Sequence, residues 1–514
     1  MSKLIQLYAA ALNGLQAIPV EVEVHSTNGM KTSIVGLPDN AVKESLERIT
    51  VAIQDTIGKM PTYKYTINMA PADIRKEGTA YDLPLAVAIL ATAGHIDCDE
   101  LKQYMLVGEL GLDGSIRPIH GALPIAIKAR EMGVKGLIVP KDNVREAAVV
   151  NRLKVYGAAN LVEVIDFLNG KPALQPTDID TRKEFAEHQA AFDNDFSEVK
   201  GQENVKRALE VAAAGGHNVI LVGSPGCGKS MMAKRLPSIL PPLSLRESLE
   251  TTQIHSVAGK LSKDTSLIAQ RPFRSPHHTV SDVALIGGGT IFQPGEISLS
   301  HNGVLFLDEL PEFSKSVLET MRQPLEDRHI TISRAKYSID IPCSFMLVAS
   351  MNPCPCGYYN HPTHACICNP AQIQKYLGKI SGPLLDRIDI QVEVTPVPFE
   401  DLNTAPTGES SAAIRERVVR ARAIQTERFK DYPSVHCNAQ MPTKLLNMFA
   451  RPDAAAAKRL HDAMERYDLS ARAYDRILKV SRTIADLDGS ADIQLRHINE
   501  AVGYRNLDRS SWGE

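Results

Sequence analysis

Two short strings in this 514-residue chain carry the residue types that phosphate chemistry requires, in the required order. The first is Gly223, Ser224, Pro225, Gly226, Cys227, Gly228, Lys229 and Ser230, a complete G-x-x-x-x-G-K-[ST] that directly follows the apolar run 218–222. That context places the loop after a strand and at the start of a helix, where backbone N–H groups can converge on the phosphates of a nucleoside triphosphate. Lys229 then offers a point charge to the β and γ groups, and the Ser230 hydroxyl offers a ligand to Mg²⁺. The competing explanation, a chance match in a Gly-rich turn, is opposed by the second string, 303–309, an apolar strand ending in two carboxylates. Asp308 suits holding a metal through water, and Glu309 suits orienting or deprotonating an attacking water. Together the strings predict ATP hydrolysis, with ATP and Mg²⁺ as cofactors.

A third constellation is Cys354-Pro355-Cys356 and Cys366-Ile367-Cys368, which gathers four of the eight cysteines into a short segment that also holds His361 and His364. Four thiolates can complete a tetrahedral, structural Zn²⁺ site. The C-x-C spacing is tighter than the usual two to four intervening residues, which leaves strain or a histidine ligand as alternatives and iron–sulfur ligation as a poorer one. Four free cysteines are the bland alternative. A closed four-ligand site has no open position for a substrate. Cys227 stands at a variable position of the phosphate loop and needs no metal to explain it.

The elements that must position these groups follow from periodicity. Residues 20–24 alternate with period two, and Val42, Leu46, Ile49 and Ile53 have helical spacing, so residues 1–170 read as an α/β domain of their own. Residues 171–195 lack sustained periodicity and read as a linker. A helix over 199–214 leads into the phosphate-loop strand, which puts nucleotide at the carboxyl ends of a parallel sheet in a core spanning 196–400. Residues 401–412 are polar and loop-like, and 413–514 are helical and rich in Ala and Arg. The apolar run 83–96 falls short of the roughly 20 residues a bilayer requires, and the N-terminal stretch 4–12 is too short for a signal peptide, so a cytoplasmic protein without a membrane partner is expected. A net charge of −3 excludes a uniformly basic surface while leaving room for a local basic channel.

The strings SHNGVLFLDELPEF (300–313) and RPFRSPHH (271–278) resemble the magnesium-chelatase-like branch of the AAA+ ATPases, and within it the whole chain is similar to the ComM/YifB family. The resemblance implies a homo-hexameric helicase driving branch migration of DNA during natural transformation, with branched or single-stranded DNA, and a recombinase, as partner classes. It also implies roles for single residues. Asn352, at the end of the strand 345–351, matches a sensor that helps place the hydrolytic water, against the plain alternative of a strand-ending Asn. Arg387 in GPLLDRID (382–389) matches an arginine finger acting on the γ-phosphate of a neighbouring subunit. Arg472 in LSARAY (469–474) matches a second, nucleotide-sensing arginine, with Arg476 one turn on as its competitor. The segment 287–289 is expected to project toward a ring's pore, and 330–341 to form a hairpin whose tip carries Arg334, Lys336 and Tyr337. Two cations beside an aromatic ring suit phosphate contact and base stacking, and an ordinary solvated hairpin is the alternative. In that setting the cysteine cluster would stiffen a DNA-facing loop.

The strings GELGLDGSIRPI (108–119) and KGLIVPKDN (135–143) resemble the Lon protease domain. That chemistry needs a serine nucleophile and a lysine base. The nucleophile position in RKEGTAYD (75–82) is Ala80, and the lysine region reads GALPI (121–125), so no peptidase activity is expected and the domain is read as an assembly or DNA-binding module. A chelatase-like motor that remodels a protein partner remains the alternative to a DNA motor.

Overall fold

The computed structural model describes residues 3–29, 32–61, 63–189, 192–289, 292–334, 337–397, 408–467 and 469–505, and the side chains of all of these except 3, 334 and 337. The chain divides into two compact units, Met1–His188 with Leu245–Ala269, and Gln189–Ser244 with Gln270–Glu514.

The first unit is built on a mixed seven-stranded sheet. Its strands are β1 (Lys3–Asn13), β2 (Gln16–Thr27), β3 (Ser33–Val35), β4 (Lys64–Ala70), β5 (Tyr104–Leu106), β6 (Gly136–Pro140) and β7 (Val155–Ala158), in the order β3-β4-β2-β1-β5-β6-β7. β1 and β2 form a long antiparallel hairpin, from Asn13↔Gln16 to Lys3↔Ser26, and the far strands run parallel. The period-two reading of β2 holds, since Val20, Val22 and Val24 are fully buried. Helix α1 (Asn40–Ile57) starts at Asp39, whose carboxylate accepts from the Val42 N–H at 2.7 Å, and ends at Gly58 with φ 77°. Its Val42, Ile49 and Ile53 are buried, whereas Leu46 is only partly so. The apolar run that is too short for a membrane becomes α2 (Asp82–Thr92), in which every residue is buried. No helix among the described residues is long and apolar enough to cross a membrane.

A connection invisible in chain order completes this unit. The helix Leu245–Val257, which lies in sequence between the phosphate loop and the acidic strand, packs here with Ile254 and Val257 buried. The Ser256 hydroxyl donates to the Glu146 carboxylate, and the Ser256 carbonyl accepts from the Gly121 N–H at 3.0 Å. Glu146 also accepts from the Leu123 N–H at 2.9 Å, while burial pushes its carboxyl above the usual range. Gly121 is therefore a helix-start residue whose N–H is taken by this inserted helix. Ala80 offers only a methyl group, with its carbonyl accepting from the Gly108 N–H at 2.9 Å.

The second unit holds a five-stranded, all-parallel sheet. Its strands are β8 (Val219–Gly223), β9 (Phe273–Arg274), β10 (Val304–Leu307), β11 (Met346–Met351) and β12 (Ile390–Val394), in the order β9-β10-β11-β8-β12. Strands β8, β10 and β11 are buried along their whole length, as parallel strands covered on both faces must be. Helix α3 (Glu203–Gly215) precedes β8. The C-terminal helices α4 (Ser411–Arg428), α5 (Ala454–Arg466), α6 (Ala471–Leu487) and α7 (Leu495–Gly503), with the short helix Thr443–Phe449, share one apolar core with the sheet. The expected hairpin forms from His329–Arg334 and Tyr337–Pro342 with Arg334 opposite Tyr337 in register. Lys336 and the side chains of Arg334 and Tyr337 lie outside the described residues. Gly287 and Gly288 pair with Gln293 and Pro294 in a two-stranded ladder, so this segment has a partner within the unit.

Candidate functional site

The phosphate loop leaves β8 and turns into the helix Lys229–Arg235. Gly226 and Gly228 have φ of 78° and 94°, a left-handed geometry that side chains with a Cβ rarely take, and it is what lets successive N–H groups face one point. Lys229 is nearly fully buried, and its ammonium donates to the Gly223 carbonyl at 2.5 Å, the Ser224 carbonyl at 2.9 Å and Asn352 Oδ1 at 3.2 Å. Burial lowers its pKa from the ordinary lysine value. The loop thus folds around its own cation.

The acidic strand β10 lies two places from β8, separated by β11, so three strand ends deliver the remaining groups to the same sheet edge. Ser230 Oγ donates to Asp308 Oδ2 at 2.7 Å, which brings both Mg²⁺ candidates onto one spot. A hydroxyl and a carboxylate are hard oxygen donors of the kind Mg²⁺ accepts while keeping several waters. Ser350 Oγ donates to the other Asp308 oxygen and accepts from the Glu309 N–H at 3.3 Å. Glu309 itself has φ 57°, an uncommon backbone for a residue with a Cβ and one found at functional sites. Asn352 follows the end of β11, between Lys229 and the carboxylates. Ser350 is a site residue missed in the sequence. Its signal was present, because period two along β11 puts Ser350 and Asn352 on the same side.

Arg387 lies at the other end of the sheet. Its carbonyl accepts from Asn218 Nδ2 at 2.9 Å, and Asn218 immediately precedes β8, whereas the phosphate loop follows β8. Five residues of strand separate the two ends by roughly 16 Å. The guanidinium is buried, donates to the Pro383 carbonyl at 2.5 Å and pairs with Glu326, and its Nε has no hydrogen-bond partner. Arg472 is on this same end, its guanidinium 3.1 Å from Asp386 and largely exposed. Arg476 is held by the buried Asp389 at 2.8 Å. Arg387, Arg472, Arg476 and Lys479 face one cleft of about 120 Å³, with Glu326 and Asp386 on its wall. Burial brings the Lys479 ammonium down to about 8. The structure therefore groups Arg472 with Arg387 and separates both from their own chain's phosphate loop. Burial opposes the charge on Asp389, but Arg476 and then His217, 3.2 Å away, outweigh it and hold the carboxyl well below its usual range.

The cysteine segment begins directly after Asn352. Cys354 Sγ lies 3.3 Å from Cys356 Sγ and 3.7 Å from Cys366 Sγ, and Cys356 and Cys366 are 3.6 Å apart. All four sulfurs, Cys368 included, lie within 4.8 Å of one another. A tetrahedral Zn²⁺ with bonds of about 2.3 Å spaces its sulfurs by about 3.8 Å, so the group fits that ion. Backbone donors are already aimed at the sulfurs: the Cys368 N–H points at Cys366 Sγ at 3.4 Å. Burial opposes ionisation of Cys356, yet the Tyr358 and Ile367 N–H groups bring its thiol down to about 6. His361 and His364 pack around the Tyr358 ring, with centroids 5.5 and 5.1 Å from it, and are not in the sulfur cluster.

A parallel sheet with a P-loop, an acidic strand end and a polar sensor between them defines a P-loop nucleotide-binding protein of the AAA+ type. Sequence comparisons agree and narrow the class. Three families match in tandem: subunit ChlI of Mg-chelatase over residues 20–143, magnesium chelatase subunit ChlI over 195–402, and its C-terminal region over 408–505. Among curated relatives, the competence protein ComM of Haemophilus influenzae is 45% identical over 507 residues, covering 98% of this chain and 97% of that protein. The protein YifB of Escherichia coli is 44% identical, with 98% and 97% covered. The magnesium-chelatase 38 kDa subunit of Rhodobacter capsulatus is 26% identical over 177 residues, covering 31% of this chain and 50% of that one. The chain belongs to the ComM/YifB family of magnesium-chelatase-like proteins.

Proposed function

We propose that the protein is an ATPase whose turnover drives branch migration of DNA recombination intermediates, in the competence setting that the name of its Haemophilus influenzae relative indicates. The observation that carries the ATPase reading is the convergence of Lys229, Ser230, Asp308, Glu309 and Asn352 on one sheet edge. Residues 223–230 would cradle the phosphates, Ser230 and Asp308 would hold Mg²⁺, Glu309 would take a proton from the attacking water, and Asn352 would help place that water. A resident Mg²⁺ supplies charge neutralisation of the phosphates. Zn²⁺ would sit on Cys354, Cys356, Cys366 and Cys368.

Because Arg387 and Arg472 lie away from the phosphate loop of their own chain, both would address the nucleotide of a neighbouring copy in a ring, for which a hexamer is the family expectation. Such a heterologous interface leaves an isolated chain with an incomplete site. DNA contact by Arg334, Lys336 and Tyr337 is a proposal from sequence, as is a recombinase partner, and the N-terminal unit would serve assembly or DNA binding without peptidase chemistry. The experiment is ATP-dependent migration of a synthetic four-way junction, wild type beside Glu309→Gln, with ATP turnover followed in the same reaction. Migration by wild type alone supports the reading. Turnover indifferent to every DNA form, without migration, would put the chelatase-like, protein-remodelling alternative first; its support is the three chelatase-subunit family matches and the 26% likeness over 177 residues.

A further inference from the structure

The cysteine segment touches the phosphate loop. Gly357, the residue after Cys356, has φ 85°, and a Cβ placed on it would come within 2.6 Å of Pro225 Cδ and 2.9 Å of Pro225 Cγ. Asn352 Cγ lies 4.0 Å from the same point. Gly357 is thus in van der Waals contact with the second variable residue of the loop, and its N–H donates to the Cys354 carbonyl at 3.0 Å, so the turn making that contact is closed by the first thiol residue. Cys354 is fully buried, two residues after Asn352, whose side chain reaches Lys229. On the far side the segment runs into the helix Pro370–Leu377, started by Asn369 in a reciprocal cap with Gln372. From that helix Tyr376 is buried, with its ring under the Lys379 ammonium, which also pairs with Glu312 beyond the acidic strand at 3.0 Å.

We infer that the four-thiolate knot is a positioning element of the nucleotide site: filled with metal, it fixes Gly357 against Pro225 and Asn352 against Lys229, so metal occupancy sets nucleotide affinity. The physical reason is that the four sulfurs lie within 4.8 Å of one another, with those of Cys354, Cys356 and Cys366 only 3.3 to 3.7 Å apart, so one cation bound among them ties both ends of the segment together. A shift of an ångström at Cys354 or Cys356 is passed straight to the loop, because no intervening side chain can absorb it. Outer-shell partners that orient metal ligands commonly change metal affinity or activity about 10- to 100-fold when altered, and an effect of that order is expected here. The inference rests on residues 223–230 being the ATP site, and Lys229→Ala tests that reading separately.

The test measures binding of a fluorescent ATP analogue with Mg²⁺ to the full chain, loaded with one equivalent of Zn²⁺, stripped by chelator, and reloaded. A tenfold or larger loss of affinity on stripping, restored by Zn²⁺, is expected, while Val162→Ser, at a 48% exposed position of the first unit, binds as wild type does. Equal affinity with and without zinc overturns the inference. If the stripped chain unfolds, the double variant Cys366→Ser with Cys368→Ser decides: weakened analogue binding together with lost zinc supports the coupling, and wild-type affinity with zinc lost overturns it. If loaded wild type itself fails to bind the analogue, the ATP-site reading fails first.

Discussion

The two units both pack helices on a β-sheet and both bury charged side chains, but they use those charges differently. In the first unit Arg48 grips Asp82 through two 3.0 Å hydrogen bonds, and Asp82 also accepts from the Leu110 N–H. Glu146 is likewise closed off by backbone and by Ser256. In the second unit the groups at one sheet edge are collected at strand ends, and the arginines at the other end face an open cleft. A buried charge with every partner inside the fold reads as architecture; charges gathered at a loop edge or a cleft read as a site for something that arrives. That contrast is what favours placing the proposed ATP chemistry in the second unit.

The contrast breaks most sharply at the phosphate loop. Lys229→Ala is expected to abolish binding of a fluorescent ATP analogue, and Glu309→Gln to keep binding while turnover falls by about 10² to 10⁴, the usual contribution of a general base. Arg387→Ala should bind ATP and lose turnover by about 10³ or more. The next effect concerns folding. A fragment of residues 1–188 lacks the helix Leu245–Val257 and should not unfold cooperatively on heating, whereas the same fragment joined through a flexible linker to residues 245–269 should. A cooperative transition of similar midpoint in both would show that the inserted helix is dispensable.

Smaller changes sharpen the same division. Arg48→Ala leaves Asp82 buried without its partner and should cost about 3 kcal/mol in the first unit, read as a lower melting temperature, with analogue affinity unchanged. Acid acts with opposite sign on the buried carboxyls Asp389 of the second unit and Glu146 and Asp82 of the first. Asp389 has its folded pKa depressed below the ordinary 3.8, so its stabilisation is present above that value and lost as pH falls through the folded value. Burial raises the folded pKa of Glu146 above 4.5 and of Asp82 above 3.8, so their contribution is full below those values and is lost as pH rises through the raised folded values. On acidification below about pH 4, hydrogen exchange should therefore open the second unit first. Asp389→Asn should flatten that unit's acid dependence.

The phosphate loop, the acidic strand and the thiol cluster were legible in the sequence because each is local: a strand, a turn and a few side chains at fixed spacing. The alternation of β2 and the helical spacing of α1 were legible for the same reason. Three features were not, and all depend on distant packing. Nothing in residues 245–269 announces that they complete the first unit, since the helix buries Ser248, Thr251, Thr252 and Ser256 beside Ile254 and Val257 and so shows no clear apolar stripe. The position of Arg472 beside Arg387 depends on how the start of α6 meets the turn 386–389, where Arg472 pairs with Asp386 and Arg476 with Asp389, which only the tertiary structure fixes. The touch of Gly357 on Pro225 joins residues more than a hundred positions apart through an approach that only a glycine permits.

Complementation between two inactive variants tests the central claim most directly. Lys229→Ala chains cannot bind nucleotide but carry Arg387; Arg387→Ala chains bind nucleotide but lack the arginine. If the ATP site of one chain is completed by Arg387 of its neighbour, mixing the two should restore ATP turnover to well above the sum of the separate rates. A mixture as inactive as its components, with co-assembly verified by light scattering, would contradict the shared site.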